Sequence, residues 1–377
     1  MRFTFTPEQD QFRADLQAFL LEELEDGRPM DGVNRDFSKK MAARNWIGIA
    51  WPKEYGGLGM GSVEQMIYTE EMIMNSAPRG YHFTAERQVG PSLVLNGSEE
   101  QKREWLPRIM SADVSFALGL SEPSAGSDLA AVQTRADRDG DEYVVNGQKI
   151  WTSNAHQADA VWLVVRTDPE APKHRGISCL MVDLDTPGID IRPLFDMTGE
   201  HHFNEVYFED VRVPVERRVG EENRGWYILA EHLDFERSGI ERLVDLETKF
   251  HAVMESARER AKAGTLKPAV RSRLAQLSID FEVGRILCYR VAYLQSQGIV
   301  PNYEASMSKT FGTEWAQRMA NTAMQLLQLD SQAFPEDSFQ QSISQMYRGA
   351  VSRTIAAGTS EIQRNIMATR GLGLPRS

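Results

Sequence analysis

The chain has 377 residues, 41% of them hydrophobic, and a formal net charge of −12. That length exceeds what one hydrophobic core usually serves, so two or three sub-domains are expected, and the negative charge argues against nucleic acid and anionic membrane as main partners while leaving room for a local basic patch against a phosphorylated ligand. Cys179 and Cys288 are the two cysteines, too far apart in sequence to suggest a disulfide framework or a metal knuckle, and no apolar signal or bilayer-length run is present, so a soluble protein of the reducing cytoplasm is expected.

Taken in chain order, Thr6 caps a first helix with Pro7 at its first position and Gln9 closing a capping box, after which Phe12, Leu16, Phe19 and Leu20 keep helical spacing. Ser62 with Gln65, and Ser98 with Gln101, repeat the device. Between them, residues 51–59 hold too many Gly and Pro residues for a helix and are expected to form a loop. From about Val114 the period changes. An apolar run from Phe116 ends in the Gly/Ser/Pro turn 121–128. Asn146-Gly147 is a strong hairpin turn pair between strands predicted at 143–145 and 149–152, and further β-rich runs lie at 160–165, 177–182, 206–208 and 211–213. These form one small β domain. After Gly225 helical patterns run almost to the end, over 233–260, 269–297, 304–329 and 339–356, each long enough for a bundle helix. The expected architecture is α+β, with an N-terminal helical domain at 1–114, a central β-barrel-like domain at 115–225 and a C-terminal four-helix bundle at 226–377.

Ser121, Gly126 and Ser127 bring hydroxyls and free amides into one turn, with Pro123 and Gly126 restricting or permitting unusual backbone angles. Such a turn suits an anionic or flavin-like ligand; taken alone, it equally describes a polar turn between strands. Gly358-Thr359-Ser360-Glu361 precedes a helix, which places its amides well for a pyrophosphate, or makes an ordinary cap. The adjacent His201 and His202 would point to opposite faces of a strand, so no metal site is expected, and a loop near a substrate mouth is the default.

The segment from Phe116 to Asp128 (FALGLSEPSAGSD) resembles the first signature of the acyl-CoA dehydrogenase family, and Ala357-Gly358-Thr359-Ser360-Glu361-Ile362-Gln363-Arg364 resembles the second. The order helical, β, helical is also that family's order. The resemblance implies FAD as cofactor. Leu118, Leu120 and Ser121 would then lie along the isoalloxazine, with Gly126 in the same turn and Ser127 facing phosphate or ligand. Trp151 and Ser153 match the family's Trp-x-Thr pair on the other flavin face, with Ser replacing Thr. Gly358, Thr359 and Glu361 would hold the pyrophosphate side, Gln325 lies at the adenine side, and Arg260 matches an Arg lent by a neighbouring subunit. Two departures stand out: Ala263 replaces the Phe of that Arg motif, and Gln328-Leu329 replace a Gly-Gly pair.

Dehydrogenation of a saturated thioester needs a carboxylate for the α-proton, made basic enough by a water-poor site, and a hydride acceptor. Many family members carry that Glu immediately before Gly-Thr-Ser, where this chain has Ala357. The family's second solution is a Glu on the first long C-terminal helix, and Leu233-Asp234-Phe235-Glu236-Arg237-Ser238 puts Glu236 there. The resemblance further implies that the Ala357 amide polarises the substrate carbonyl, and that Asp234 and Arg237, with Ser127, contact the coenzyme A substrate. The expected product is a 2,3-enoyl-CoA, with electrons passed to an electron-transfer flavoprotein. Segments 159–167 and 173–178 look most like relatives acting on branched, bulky or steroid-derived acyl groups. A homo-oligomer (dimer or tetramer) or a heterotetramer with a related subunit is implied. The alternatives are a partner subunit with little activity alone and an acyl-CoA oxidase.

Overall fold

A computed structural model of the chain describes residues 4–24, 32–234, 239–332, 335, 336 and 338–375. Its helices are α1 (Pro7–Glu23), α2 (Arg35–Ala43), α3 (Ser62–Met74), α4 (Gly90–Asn96), α5 (Glu99–Met110), α6 (Gly225–Asp234), α7 (Glu241–Val244), α8 (Glu247–Lys262), α9 (Pro268–Ser296), α10 (Tyr303–Leu327), α11 (Phe339–Arg353) and α12 (Ser360–Ile366). The strands are β1 (Phe116–Gly119), β2 (Arg135–Asp139), β3 (Glu142–Lys149), β4 (Ala160–Arg166), β5 (Ile177–Asp183), β6 (Ile189–Leu194), β7 (Phe203–Pro214) and β8 (Arg218–Val219). These elements divide into a helical unit, made of Met1–Glu22, Ser62–Ser76 and Arg237–Ser377, and a sheet unit, made of Glu23–Gly61 and Ala77–Glu236. Among the described residues, no helix is long and apolar enough to cross a membrane.

The sheet unit is built on one eight-stranded sheet in the order β6-β7-β3-β2-β4-β5-β8, with β1 paired in parallel to β4. β4 and β5 are buried at every position but their last, so their continuous apolar runs are explained by cover on both faces. The hairpin expected at Asn146-Gly147 does not form: β3 runs through it to Lys149. The pairing of β3 with β7 shifts register between Val145 and Gly147, so the Asn-Gly pair makes a β-bulge. Gly147 has φ 151° and approaches Thr134 so closely that a Cβ would lie 2.7 Å from the Thr134 Cα, which only Gly tolerates. The chain reverses instead between β2 and β3, at Gly140-Asp141. The strand expected over 149–152 stops at Lys149 because Trp151 takes φ 60°. The two runs expected at 206–208 and 211–213 are one strand, β7, that continues through Asp210 at φ 50°. The Ser98/Gln101 capping box forms as expected, with Gln101 N–H donating to Ser98 Oγ at 3.2 Å and Ser98 N–H donating to Gln101 Oε1 at 3.0 Å.

In the helical unit, α8, α9, α10 and α11 share one core in which Phe250, Phe281 and Trp315 pack ring on ring. Trp315, fully buried, donates its indole N–H to the Leu277 carbonyl at 2.9 Å. The Thr6/Gln9 capping box opens α1 as expected. Arg13 of α1 reaches both Glu70 and Glu71 of α3, and Tyr289 of α9 donates to Glu70 at 3.1 Å, a buried network that ties these three helices together. The single helix expected over 233–260 is broken into α6, α7 and α8. Asp245 ends α7, its N–H on the Glu241 carbonyl at 3.3 Å, and its carboxylate takes two hydrogen bonds from Arg353 of α11.

Each unit holds one buried free thiol: Cys179 on β5, whose Sγ points to the Gly225 carbonyl at 3.7 Å, and Cys288 on α9, 3.1 Å from Ser308 Oγ. Burial pushes both thiols up to about 12.

Candidate active site

In the sheet unit, the turn that follows β1 is fixed from inside. Glu122 accepts the amides of Gln133 (2.7 Å) and Thr134 (2.9 Å) and the ammonium of Lys149 (2.7 Å). Lys149, fully buried, also donates to the Leu120 carbonyl at 3.1 Å. Burial alone would raise Glu122, but the charge and hydrogen bond of Lys149, with the Thr134 and Gln133 donors, hold its carboxyl below its ordinary value; burial lowers Lys149 to about 8 against the attraction of Glu122. Both groups are therefore ionised at neutral pH. Glu122 and Ala125 exchange backbone hydrogen bonds of 3.1 and 3.0 Å, which closes the turn and leaves Gly126 and Ser127 exposed.

The turn and the segment after β3 lie side by side, because the Ile150 amide donates to the Ser121 carbonyl at 2.9 Å. Leu118, Leu120 and Ser121 are half-buried along one edge, and Ser153 is half-buried on the neighbouring segment. Trp151 is 53% exposed, its ring meeting Phe203 in a T-shaped pair with centroids 5.6 Å apart. Its φ of 60° is left-handed, as is that of Asn154 at 54°, a conformation that costs a non-glycine residue about 1–2 kcal/mol.

In the helical unit, the residue before Gly358 is also left-handed: Ala357 has φ 53° and Gly358 φ 84°. Lys309 of α10, 4% exposed, donates to the Gly358 carbonyl at 2.7 Å, and Gln363 Nε2 donates to the Ala357 carbonyl at 3.1 Å. Burial and then the Arg242 charge lower the Lys309 amine to about 8, against Glu314 and Glu361. Thr359 caps α12, accepting the Ile362 amide at 3.2 Å, and Glu361 sits in the first turn, its carboxyl lowered by its own amide and by Thr359. A cleft of about 510 Å³ opens beside this loop, bordered by Thr359, Ser360, Glu361, Arg318 and Arg364. Arg260 pairs with Asp330 at 3.7 Å, at the turn that carries Gln328 and Leu329; Gln325 accepts from Arg273. Gln328 keeps a positive φ of 57°, the backbone form a glycine would take there, and Leu329 is 76% exposed.

Glu236 and Arg237 lie outside the described residues, and Asp234 is the last residue of α6. Sequence reasoning passed over Glu122, Lys149, Asn204 and Lys309. Glu122 does stand inside the quoted segment 116–128 and Lys149 opens the strand predicted at 149–152, so a charged residue within each of these stretches was the available signal.

Among the described residues, three buried hydroxyl oxygens have no hydrogen-bond partner: Thr152 Oγ1 in the sheet unit, and Thr310 Oγ1 and Ser360 Oγ in the helical unit. A buried unsatisfied polar atom costs about 1–3 kcal/mol, and polar groups of a bound molecule would relieve it. With the exposed indole and the half-buried Leu118–Leu120–Ser121 edge, the residues present fit a flat ring system that carries polar groups.

Three family profiles match the sequence: "Acyl-CoA dehydrogenase, N-terminal domain" over residues 6–113, "Acyl-CoA dehydrogenase, middle domain" over 117–211, and "Acyl-CoA dehydrogenase, C-terminal domain" over 223–372. The acyl-CoA dehydrogenase FadE26 of Mycobacterium tuberculosis (strain ATCC 25618 / H37Rv) is 37% identical over 402 residues, covering 100% of both chains. Among solved structures, a chain of the "Tcur3481-Tcur3483 steroid ACAD" superposes with a TM-score of 0.89 at 35% identity, covering 100% of both chains. A chain of the ChsE4-ChsE5 complex from Mycobacterium tuberculosis does so with a TM-score of 0.85 at 37% identity, again covering 100% of both.

Proposed function

The chain belongs to the acyl-CoA dehydrogenase family, with that family's α+β fold, and is an oxidoreductase enzyme, and we propose that it converts an acyl-CoA thioester to the 2,3-enoyl-CoA with FAD as cofactor. The observation that carries this reading is the Trp151 indole, exposed on left-handed backbone beside the Ser121 edge. FAD, when bound, supplies the hydride acceptor. Leu118, Leu120 and Ser121, with Gly126 and Ser127 in the same turn, would hold one side of its ring system, and Trp151 and Ser153 the other. Gly358, Thr359 and Glu361 would hold its pyrophosphate side, Gln325 its adenine side, and Arg260 would reach the flavin of a neighbouring subunit.

Glu236 is the proposed base for the substrate α-proton. The Ala357 amide is the proposed donor to the thioester carbonyl, where negative charge develops as the proton leaves. Asp234, Arg237 and Ser127 are proposed to face the coenzyme A part. Lys309 holds the Gly358 carbonyl and so limits how the neighbouring Ala357 amide turns.

Electrons would pass to an electron-transfer flavoprotein in the cytoplasm. A steroid-derived or otherwise bulky acyl group is supported by the similarity to a chain of a steroid ACAD. A second reading is a subunit that shares its site with an unlike partner. It is supported by the likeness to a chain of the ChsE4-ChsE5 complex, and by Ala263, Gln328 and Leu329 at the positions of the family's Phe and Gly-Gly.

The test is the visible spectrum of the chain purified alone, followed by Glu236→Gln. A flavin spectrum at about one FAD per chain supports a self-sufficient homo-oligomer, and a colourless protein supports the shared site. Glu236→Gln is expected to keep FAD, abolish bleaching by substrate and lower kcat by about 10²–10⁴-fold. Retained turnover would remove Glu236 from the mechanism, and hydrogen peroxide release in place of electron transfer would identify an oxidase.

A further inference from the structure

The His201-His202 pair, set aside as a loop near a substrate mouth, belongs to a network that ends at Trp151. Asn204, fully buried, grips the Thr152 backbone with three hydrogen bonds. Thr152 N–H donates to the Asn204 carbonyl and Asn204 N–H to the Thr152 carbonyl, both at 3.1 Å, and Asn204 Nδ2 donates to the same Thr152 carbonyl at 3.0 Å. With Nδ2 used as a donor, Oδ1 faces His201 and accepts from its Nε2–H at 2.9 Å, which fixes the proton on that ring nitrogen. His201 in turn stacks on His156, with ring centroids 3.9 Å apart and planes 20° apart. The His202 carbonyl closes the clamp by accepting the Asn154 amide at 2.9 Å, and the His202 ring meets Phe203, the ring against which Trp151 rests.

The stretch so clamped, 151–154, carries left-handed non-glycine backbone at both ends. A buried asparagine needs partners wherever it sits, and scattered ones would satisfy it. Here its backbone and side-chain bonds converge on the one residue next to Trp151 and on the histidine stack that braces it. Backbone in a sparsely populated region persists only where its surroundings over-determine it.

We infer that Asn204, braced by His201 on His156, is a positioning residue that presets the Trp151 indole as a standing face for the flavin ring. The inference rests on the assignment of Trp151 to flavin binding made above. Its role is to fix the platform before the cofactor arrives, so that binding does not have to order it.

The experiment uses the full chain labelled with fluorotryptophan and freed of cofactor, read by fluorine NMR. Of the seven tryptophan lines, the one lost in Trp151→Phe identifies the platform. Asn204→Ala is expected to shift and broaden that line and leave the other six in place. His201→Phe, which keeps a ring on His156 but removes the Nε2 donor, is expected to move the same line by less, and it decides the matter if Asn204→Ala does not fold. An unmoved Trp151 line in the folded variants overturns the inference. FAD titration of the same proteins, followed by flavin fluorescence, separates the two claims. Trp151→Phe and Asn204→Ala are each expected to weaken binding about tenfold, the size of one lost aromatic stacking contact. If the line moves in Asn204→Ala while Trp151→Phe binds FAD as the parent does, the positioning stands and the flavin assignment of Trp151 falls.

Discussion

In the sheet unit the turn at 121–128 is fixed by a fully enclosed ion pair, Glu122 with Lys149, in which both partners also bond to backbone. The loop at 357–359 of the helical unit depends on Lys309, a single amine reaching one carbonyl, with Gln363 beside it. The first arrangement resists adjustment, because removal of either charge strands the other in the interior. The second has a single charged donor, lowered by burial to about 8, so it is the one expected to respond to pH.

Lys149→Met tests the rigid side and carries the largest expected effect. It strands the Glu122 carboxylate and should destabilise the protein by about 3–5 kcal/mol in urea unfolding, with part of the loss recovered by adding Glu122→Gln. A loss under about 1 kcal/mol would mean that the sheet register alone fixes the turn. Lys309→Met tests the adjustable side. It removes a charged donor, so kcat should fall by about 10–10²-fold at unchanged FAD content, in line with about 1.5–3 kcal/mol for such a bond. Equal losses of FAD and kcat would make Lys309 merely structural.

The same lysine gives a pH dependence whose sign differs between activity and stability. Its folded value is lowered to about 8, so the ammonium is complete below that pH and kcat should decline as pH rises through about 8, a slope absent in Lys309→Met. Between about 8 and the ordinary lysine value the unfolded chain holds the extra proton, so the contribution of this group to stability increases with pH. Below about 8 its burial penalty is present in full. Paired urea curves of the parent and Lys309→Met across that window check the sign. The smallest effect is expected at Gln328, where a non-glycine residue sits at φ 57° and ψ −127°: Gln328→Gly should stabilise the helical unit by about 1 kcal/mol. No gain there would mean that the Gln328 side chain compensates its own backbone.

What could be read from the chain follows the range of the interactions. The capping boxes at Thr6/Gln9 and Ser98/Gln101 span three residues, and the apolar runs of β4 and β5 are unbroken, so both were legible. β2 buries only Ala136 of five residues, and β6 buries none, so neither carries an apolar signal. Asn146-Gly147 has the residues of a turn, but the nearby Gly140-Asp141 reversal took that role and left the pair to form a bulge. Among the proposed site residues, Ser121, Trp151 and Gly358 stand in local motifs. The bonds that hold those segments span 27 residues from Lys149 to Glu122, 52 from Asn204 to Thr152 and 49 from Lys309 to Gly358, and no local pattern announces such a pairing.

The placement of the two cysteines gives the comparison its own instrument. Burial pushes both thiols up to about 12, so the reactive thiolate is scarce at neutral pH, and neither sulfur is open to solvent. Alkylating reagents therefore react with Cys179 when the sheet opens and with Cys288 when α9 lets go. Peptide mass spectrometry of the native protein, timed after reagent addition, would clock the breathing of each unit separately, with no residue changed.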